Sequence, residues 1–524
     1  MGGSLTAVRK GETVMAEQYD AIVIGSGIGG LTAAAFLAKG GLRPLVLEQH
    51  FLPGGNAMTF RRKKMFDFDV GLHYIGDCGP GGFFPSLMEQ LGIADQVEFV
   101  PLDQDGFDTI HFPDLTFRVP AGWDRYRERL KAAFPQEAQA IDRYIDFVRM
   151  VAGHSPPAGR DPLREVLSKP WSQATLGEVF DALEASHRLR HVLAAQCGTY
   201  GAPPSKASVG MHAMVTDSYM RGAYFVRGGA RPLVEGLVRV IEEGGGQVRL
   251  RSKVARIIVE GEKAVGVELA KGEQLRAPII VSNADAKRTL LEMVGEENLS
   301  PTLAQRIKGY RMALPLFVIY MAMEVDPSEL GLPSTNIGLV PAYDLEEQFA
   351  ACYEGRLPER PSVFLSIASL KDPLGENIAP RGYTNLQLMT LAPAQPQAWG
   401  VSQSPASAPT KSGYRHTPPY LAAKREMEER MLRVVEEMMP GFIRKVVWQE
   451  CATPLTQERF TLSSGGTSYG FEATPDQFMA ARVPLQTEIP GLWMAGANTM
   501  FGHGIQPCMM SGRAAAGAIL QQSR

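Results

Sequence analysis

The 524-residue sequence has little cysteine, no long apolar run and no excess of positive charge. Its cysteines are scattered without the spacing of a metal site, which favours free thiols in a reducing cytoplasm and predicts no bound metal. The five are Cys78, Cys197, Cys352, Cys451 and Cys508. A net charge of −3, together with the absence of a Lys/Arg block, argues against a nucleic-acid partner.

Because no stretch of about 18 apolar residues is present, the sequence predicts no membrane-spanning segment. The first fourteen residues also lack the apolar run of a signal peptide. The richest apolar segment, Met312–Met323, is short and indicates a buried strand or the wall of an apolar pocket. We therefore expect a cytoplasmic protein, with peripheral contact with a membrane left open. The sequence indicates no particular oligomeric state.

The N-terminal region has the pattern of a βαβ unit. Tyr19–Gly25 is a short apolar run that ends in glycine, as in a buried parallel strand. Leu31–Lys39 has helical spacing, and Arg43–Glu48 reads as a second strand. The segment Gly25-Ser26-Gly27-Ile28-Gly29-Gly30 joins the first strand to the helix and fits the pattern G-x-G-x-x-G.

Each residue of this glycine loop has a physical role in a dinucleotide site. Gly25 allows a tight turn, and Gly27 lets the backbone approach a pyrophosphate at the N-terminus of the helix. Gly30 lets the helix pack closely on the strand. Glu48 ends the second strand, where a carboxylate accepts hydrogen bonds from an adenosine ribose. Alone, this pattern permits either NAD or FAD.

Two further loops favour FAD. Leu52-Pro53-Gly54-Gly55-Asn56-Ala57 follows Glu48, and an NAD site does not need this second glycine pair. Near the C-terminus, Gly491–Gly496 reads as a strand that ends in a glycine turn, Asn498–Gly504 as a loop, and Met509–Gln521 as a helix. A glycine turn before a helix places free N–H groups and a positive helix end beside a ligand.

These blocks, with Tyr224–Asp285, resemble the carotenoid isomerase, retinol saturase and phytoene desaturase group of FAD-dependent oxidoreductases. The resemblance implies that Gly25, Ser26, Gly27, Gly29 and Gly30 hold the pyrophosphate and that Glu48 holds the ribose. It places Gly54, Gly55, Asn56 and Ala57 beside the flavin and the backbone of Val254 at the adenine. It places Gly496, Ala497, Gly504 and Ile505 at the ribityl chain and pyrimidine edge.

The sequence departs from this family at one cofactor position. Many members carry an Asp after the glycine of the C-terminal motif, whereas this chain has Ala497. We therefore expect the backbone or Asn498 to supply one hydrogen bond to FAD.

No catalytic residue stands out. His73, Tyr74 and His503 lie in segments that the resemblance places near the flavin, and each is either a proton donor or a packed side chain.

The expected fold is α/β. A Rossmann-type FAD-binding domain, like those of glutathione reductase and the amine oxidases, carries an inserted α+β substrate domain. We assign residues 15–100, 222–300 and 465–524 to the FAD-binding domain, and 101–221 and 301–464 to the substrate domain. Residues 101–221 have the composition of a mainly helical insert. Residues 391–419, rich in Pro, Ala, Ser and Gln, predict a flexible surface loop.

The resemblance implies action on C–C bonds of an apolar polyene or isoprenoid, by desaturation, saturation or cis–trans isomerisation. A diffusible electron acceptor or donor, such as oxygen or a quinone, is then the second reactant. Two alternatives remain. An amine oxidase-like enzyme shares the cofactor site, with Trp493 and Phe501 as candidates for its aromatic cage. A non-enzymatic prenyl-binding escort shares the fold and does not use a flavin.

Overall fold

The structure is a computed structural model that describes residues 19–155, 163–164, 167–403 and 413–522. The strands, in chain order, are Ala21–Ile24 (β1), Pro44–Leu47 (β2), Thr59–Arg62 (β3), Phe66–Asp69 (β4), Ile75–Gly76 (β5), Phe99–Pro101 (β6), Asp108–His111 (β7), Thr116–Val119 (β8), Ala223–Val226 (β9), Gln247–Arg249 (β10), Val254–Glu260 (β11), Lys263–Leu269 (β12), Gln274–Arg276 (β13), Ile279–Ser282 (β14), Leu316–Met323 (β15), Asn336–Leu339 (β16), Val363–Ile367 (β17), Thr384–Leu391 (β18), Val446–Ala452 (β19) and Leu492–Met494 (β20).

The α-helices, in chain order, are Ile28–Lys39 (α1), Phe83–Leu91 (α2), Trp123–Ala133 (α3), Ala138–Val151 (α4), Leu176–Ala182 (α5), His187–Leu193 (α6), Val209–Met220 (α7), Arg231–Glu243 (α8), Pro301–Gly309 (α9), Leu345–Tyr353 (α10), Ala368–Lys371 (α11), Pro418–Met438 (α12), Pro454–Thr461 (α13) and Ile505–Gln522 (α14). A π-helix covers Arg288–Gly295. Among the described residues, no helix has the length and apolar character needed to cross a membrane.

A five-stranded parallel sheet forms the nucleotide-binding core, in the order β10-β2-β1-β14-β20. The central strand β1 is buried along its whole length, as its apolar run predicts. The five strands lie within the three ranges predicted for the FAD-binding domain. Strand β10 pairs in parallel with β2 at the edge of this sheet. The antiparallel sheet contains β11, β12 and β13.

Close packing of α1 against α14 brings the two ends of the chain together. A side chain at Gly512 would place its Cβ 2.2 Å from the carbonyl oxygen of Gly29, so only glycine permits this approach. Helix α14 begins at Ile505, four residues earlier than the predicted helix. The N-termini of α1 and α14 therefore both face the carboxyl edge of the parallel sheet.

A seven-stranded sheet, in the order β19-β15-β18-β17-β16-β7-β8, forms the second body. The apolar segment Met312–Met323 contributes its buried strand β15, one of the two predicted alternatives. The prediction of a mainly helical insert over 101–221 missed β7 and β8, which form a hairpin at the edge of this sheet. Strand β7 is short and begins with Asp108, so the sequence of this segment lacks a strong strand pattern.

The segment predicted as a flexible loop over 391–419 packs against the seven-stranded sheet in its first part. Trp399 is fully buried, stacks on Phe317 with ring centroids 5.8 Å apart, and donates from Nε1 to the Pro393 carbonyl. Residues 404–412 of this predicted loop lie outside the described residues. The indole thus fixes a Pro-rich segment whose composition alone suggested a loop.

Candidate active site

The glycine loop between β1 and α1 has the geometry of a nucleotide cradle. Gly25 has φ of +89°, a conformation that L side chains rarely adopt. A Cβ at Gly30 would lie 2.3 Å from the Gly25 carbonyl oxygen, so the first turn of α1 packs on the strand only with glycine there. The loop therefore leaves its backbone N–H groups and the helix N-terminus facing a ligand.

Glu48 lies beneath this loop and is held by three donors. Ser26 donates its backbone N–H at 2.8 Å and its hydroxyl at 2.6 Å to Oε2. The backbone N–H of His50 donates to Oε1 at 2.7 Å. A carboxylate has about four acceptor positions, so Glu48 retains one for a ribose hydroxyl. The carboxylate is therefore fixed in place and available to the cofactor.

The second glycine loop lies directly against the first. The backbone N–H of Gly54 donates to the Ser26 carbonyl at 3.0 Å, and Gly54 has φ of +115°. A Cβ at Gly55 would lie 2.9 Å from the Cα of Gly27. Two chain segments separated by almost thirty residues thus meet at glycine positions, as the sequence predicts for a flavin site.

The C-terminal loop closes the cradle. Gly496 has φ of +88° and donates its N–H to Ser511 Oγ of α14 at 2.8 Å. Ala497 lines the cavity, and its carbonyl accepts a hydrogen bond from the buried Arg482. Asn498 accepts from the Phe471 N–H through Oδ1 at 3.2 Å, which leaves its amide N–H groups to bind a cofactor.

Most predicted cofactor residues line one cavity of about 1120 Å³. Two residues of the predicted set, Ser26 and Gly30, do not line the cavity themselves and lie behind its wall. The residues that form it are Gly25, Gly27, Gly29, Glu48, Gly54, Gly55, Asn56, Ala57, Val254, Gly496, Ala497, Asn498, Gly504 and Ile505. This convergence of glycine loops and helix N-termini fits the size and charge of an FAD pyrophosphate and ring.

Sequence reasoning missed Asn283, which follows β14. Its side chain lies where Cβ atoms at Gly27, Gly29 and Gly496 would stand, at 2.4, 2.7 and 2.5 Å respectively. Asn283 therefore fills the point where the N-terminal and C-terminal loops meet. A polar residue directly after a buried strand of a parallel sheet was the available signal.

The cavity continues from the cradle into an apolar space between α7 and the seven-stranded sheet. Its walls include side chains from both bodies, among them Met211, Val215, Leu339, Phe364, Met389 and Phe478. Helix α7 contributes Met211 and Met214 to this lining. Such a wall binds an apolar ligand by dispersion and burial and offers it few hydrogen bonds.

The two histidine candidates line the cavity as neutral imidazoles. Burial, and to a smaller extent the nearby charge of Lys371, lowers the pKa of His73 to about 3. The pKa of His503 is also lowered to about 3, by burial and then by the charge of Arg482, and its Nε2 donates to the Thr199 carbonyl. At neutral pH neither ring is an imidazolium, so neither serves as a general acid of ordinary strength.

Tyr74 has a different environment. Its ring stacks on Tyr219 with centroids 4.3 Å apart, and its hydroxyl donates to Asp108 Oδ2 at 3.2 Å. Burial raises the pKa of Tyr74 well above its ordinary value. Burial also raises the pKa of Asp108 to about 6, against hydrogen bonds from Asn336 and Tyr74. A phenol and a buried carboxylate are therefore paired at the cavity wall.

Lys371 lies behind the pair of Tyr74 and Asp108, and the sequence analysis did not predict it either. Its ammonium donates to the His73 carbonyl at 2.8 Å, to Ser366 Oγ at 2.7 Å and to Asn336 Oδ1. Burial lowers the pKa of Lys371 to about 7, and the charge of Asp108 acts in the opposite direction. Asp108 lay in the predicted helical insert, and Lys371 comes from a segment 263 residues further on, so no local pattern joined them.

Known proteins match this chain over most of its length. Residues 28–376 match the family described as flavin containing amine oxidoreductase. All-trans-retinol 13,14-reductase of Homo sapiens is 30% identical over 539 residues, which cover 97% of this chain and 86% of that protein. Prolycopene isomerase, chloroplastic, of Daucus carota is 26% identical and covers 94% of this chain and 79% of that protein.

A crystal structure of an oxidoreductase from Methanosarcina mazei superposes with a TM-score of 0.67 at 15% identity. The match covers 95% of this chain and 99% of that one, which confirms the predicted fold class. The chain belongs to the flavin-containing amine oxidoreductase family, which confirms the predicted FAD cofactor, the oxidoreductase activity and the resemblance to the carotenoid isomerase and retinol saturase group.

Proposed function

We propose that this FAD-dependent enzyme saturates a carbon–carbon double bond in an apolar polyene or isoprenoid. The observation that carries the proposal is the apolar cavity that continues from the glycine loops, past Tyr74, to the seven-stranded sheet. Methionines such as Met211 and Met389 adapt to the irregular outline of an isoprenoid chain. The printed names of the relatives, a retinol reductase and a prolycopene isomerase, support the same class of substrate.

Saturation of a double bond needs a hydride and a proton. FAD supplies the hydride chemistry when bound, and the chain must orient the substrate, exclude water and deliver the proton. We assign the proton to Tyr74, because the neutral His73 and His503 have pKa values lowered to about 3. Tyr74 keeps its proton at all physiological pH values, because burial raises its pKa.

Asp108 completes this assignment. When its carboxylate is ionised, the Tyr74 hydroxyl donates to it. Protonation of Asp108 reverses the hydrogen bond, so the carboxyl O–H donates to Tyr74 and the phenol proton turns toward the cavity. A pKa of about 6 for Asp108 places this protonation near physiological pH, where general acids work well. Asp108 therefore restores the proton that Tyr74 delivers.

Saturation consumes two electrons for each double bond, so the reaction needs a donor. Of the two diffusible partners predicted, oxygen accepts electrons and a reduced quinone donates them. We therefore propose a donor of the quinol type, or another small reductant that reaches the flavin through the cavity mouth.

The test is anaerobic incubation of the reduced and the oxidised holoprotein with cis and trans polyenes, followed by product mass. We expect the reduced protein to add two hydrogens and, in deuterium oxide, to incorporate one deuterium from solvent. A loss of two hydrogens by the oxidised protein would assign desaturation. An unchanged mass with altered geometry would assign isomerisation, the second candidate, which the similarity to prolycopene isomerase favours.

Tyr74→Phe tests the proton assignment, with Tyr219→Phe as the matched control. Both rings lie in the same stack and their hydroxyls interact by a hydrogen bond, but only the Tyr74 hydroxyl donates to Asp108. Loss of a general acid typically lowers the rate by about 100- to 10,000-fold. We expect such a loss of saturation in Tyr74→Phe and a much smaller loss in the control, which removes one hydrogen bond to the phenol. Equal rates in the two variants would contradict the role of Tyr74.

The alternatives have less support. Trp493, one candidate for an amine oxidase cage, lies in β20 and packs in the buried core. Of these two candidates, Phe501 lines the cavity and Trp493 does not. Steady turnover of simple amines with release of peroxide would favour an amine oxidase. Purified protein that stays colourless after FAD is added would favour the escort.

A further inference from the structure

A buried positive charge lies behind the C-terminal loop of the cofactor cradle. Arg482 follows the 3₁₀-helix Met479–Ala481 and is only 1% exposed. Its guanidinium donates to three backbone carbonyls, those of Gln477 at 2.7 Å, Phe471 at 2.8 Å and Ala497 at 3.0 Å. These bonds fix the planar group in one orientation against the loop.

The charge of Arg482 has no carboxylate beside it in the part of the chain that the structure describes, since its hydrogen bonds all go to backbone carbonyls. Glu472, next to Phe471 in the chain, pairs with Arg311 instead. Burial lowers the pKa of Arg482 to about 10, so the guanidinium stays charged at neutral pH. A buried charge without a counter-ion is unfavourable, which indicates a negative partner that the chain itself does not supply.

The titratable groups around Arg482 are neutral at pH 7. Burial raises the pKa of Tyr310, and it raises the pKa of Cys508 to about 12 against the charge of Arg482. Burial and then the charge of Arg482 lower the pKa of His503 to about 3. Arg306, which donates to the Arg482 carbonyl, adds a second positive charge. These neighbours therefore leave the charge of Arg482 uncompensated.

This charge acts on the wall of the cofactor cavity. His503 and Cys508, whose pKa values it lowers, both line that cavity. Gly502 lies in the same loop, and a Cβ there would stand 3.5 Å from Nη1 of Arg482. The family resemblance places this loop at the ribityl chain and pyrimidine edge of FAD. There the isoalloxazine gains negative charge, around N1 and C2=O, when it is reduced.

We propose that Arg482 is the fixed counter-charge of reduced FAD, which the protein holds as an anion with one added proton. A donor of the quinol type gives two electrons and one proton to the ring, and its second proton goes to solvent. When a hydride then leaves for the substrate, it takes both electrons and that proton, and the ring returns to its neutral oxidised form. The inference rests on FAD as the cofactor and is independent of the substrate.

The first measurement is the midpoint potential of the wild-type holoprotein from pH 6 to pH 8, by anaerobic reductive titration against a reference dye. One pH unit is a tenfold change in proton activity. Uptake of one proton with two electrons therefore changes the potential by about 30 mV per pH unit, and uptake of two protons by about 59 mV. We expect the smaller slope. The larger slope would overturn the proposal, because reduced FAD would then be neutral.

The second measurement uses Arg482→Gln, which removes the charge and keeps an amide that can donate to a carbonyl. It should weaken binding of reduced FAD about 10- to 100-fold more than binding of oxidised FAD. The midpoint potential should therefore fall by about 30 to 60 mV. Arg482→Lys keeps a charge and should retain most of the wild-type potential.

Arg430→Gln is the matched control. The Arg430 guanidinium also donates to backbone carbonyls, those of Leu357 and Pro358, but it lies in α12 outside the cavity lining. This substitution changes the net charge by the same amount as Arg482→Gln. It should leave the midpoint potential and its pH slope at their wild-type values.

The outcomes separate the two negative groups of FAD. Equal weakening of oxidised and reduced FAD by Arg482→Gln would overturn the proposal, because it would assign Arg482 to the pyrophosphate, which is charged in both states. If Arg482→Gln binds no FAD, the pH slopes of the wild type and of Arg482→Lys decide. Neither titration contains a polyene, so failure of the proposed polyene activity leaves this inference intact, and failure of this inference leaves that activity standing.

Discussion

Replacing Asp108 by Asn removes a buried ionisable group and keeps its shape. The introduced amide can still accept from Asn336 and can donate to the Tyr74 oxygen, so the hydrogen bonds of the site are preserved. The change therefore isolates the effect of ionisation. Because burial raises the pKa of Asp108 from 3.8 to about 6, the folded protein binds this proton more tightly than the unfolded chain does.

The sign follows from linkage. Between pH 3.8 and about 6 the folded state holds more of this proton, so the free energy of unfolding falls as pH rises through that window and is constant above it. The full effect is about 3 kcal/mol, of which about 1.4 kcal/mol lies between pH 5 and pH 8. Asp108→Asn has no such group. Its stability relative to wild type should therefore be about 1.4 kcal/mol better at pH 8 than at pH 5.

The assay is urea denaturation of both holoproteins at several pH values, followed by fluorescence. Asp69 has a pKa raised to about 6 for the same main reason, burial, but it is present in both proteins and cancels in the difference. Asp95→Asn, at an exposed position, is the control for loss of an aspartate. A stability difference between Asp108→Asn and wild type that stays constant from pH 5 to pH 8 would refute the reasoning.

Three further predictions concern the cofactor and the buried cations. Gly30→Ala should yield protein without flavin absorbance, because its Cβ would lie 2.3 Å from a backbone oxygen, whereas Gly517→Ala meets nothing within 4 Å and should remain yellow. Lys371→Met removes a charge that holds down the pKa of Asp108, so the corresponding step in the pH profile of kcat/KM should move to higher pH. Arg482→Met leaves three buried carbonyls unpaired and should destabilise the holoprotein by about 3 kcal/mol or more, seen as a lower Tm and loss of FAD, with partial recovery in Arg482→Lys.

The cofactor cradle could be predicted because its determinants are local. The turn at Gly25, the close packing at Gly30 and the acid at Glu48 each depend on a strand or helix that the neighbouring residues specify. The C-terminal loop around Gly496 could be added because it repeats the same physical device, a glycine turn before a helix. The role of Asn283 could not be predicted from the sequence, because it depends on how closely these loops approach one another in the fold.

The polar cluster of the cavity could not be predicted in the same way. Asp108 reaches it through the parallel pairing of β7 with β16, a contact between strands more than two hundred residues apart. Lys371 arrives from the short helix that follows β17. Each residue is unremarkable in its own segment. Only the sheet order brings their side chains to one wall.

The burial of this cluster argues for function on energetic grounds. A carboxylate and an ammonium inside an apolar cavity lose hydration that their mutual attraction does not fully return, so apolar residues of similar size would often stabilise the fold more. Asp108 and Lys371 each have a pKa moved by burial toward neutrality, the direction that disfavours the charged form. The same burial that lowers stability also raises the pKa of Asp108, so that this carboxyl gains and releases a proton near pH 6 beside Tyr74. Asp108→Asn separates the two, because it should raise stability at pH 8 while it lowers the saturation rate. A variant that gained stability and kept full activity would show that Asp108 does not serve proton transfer.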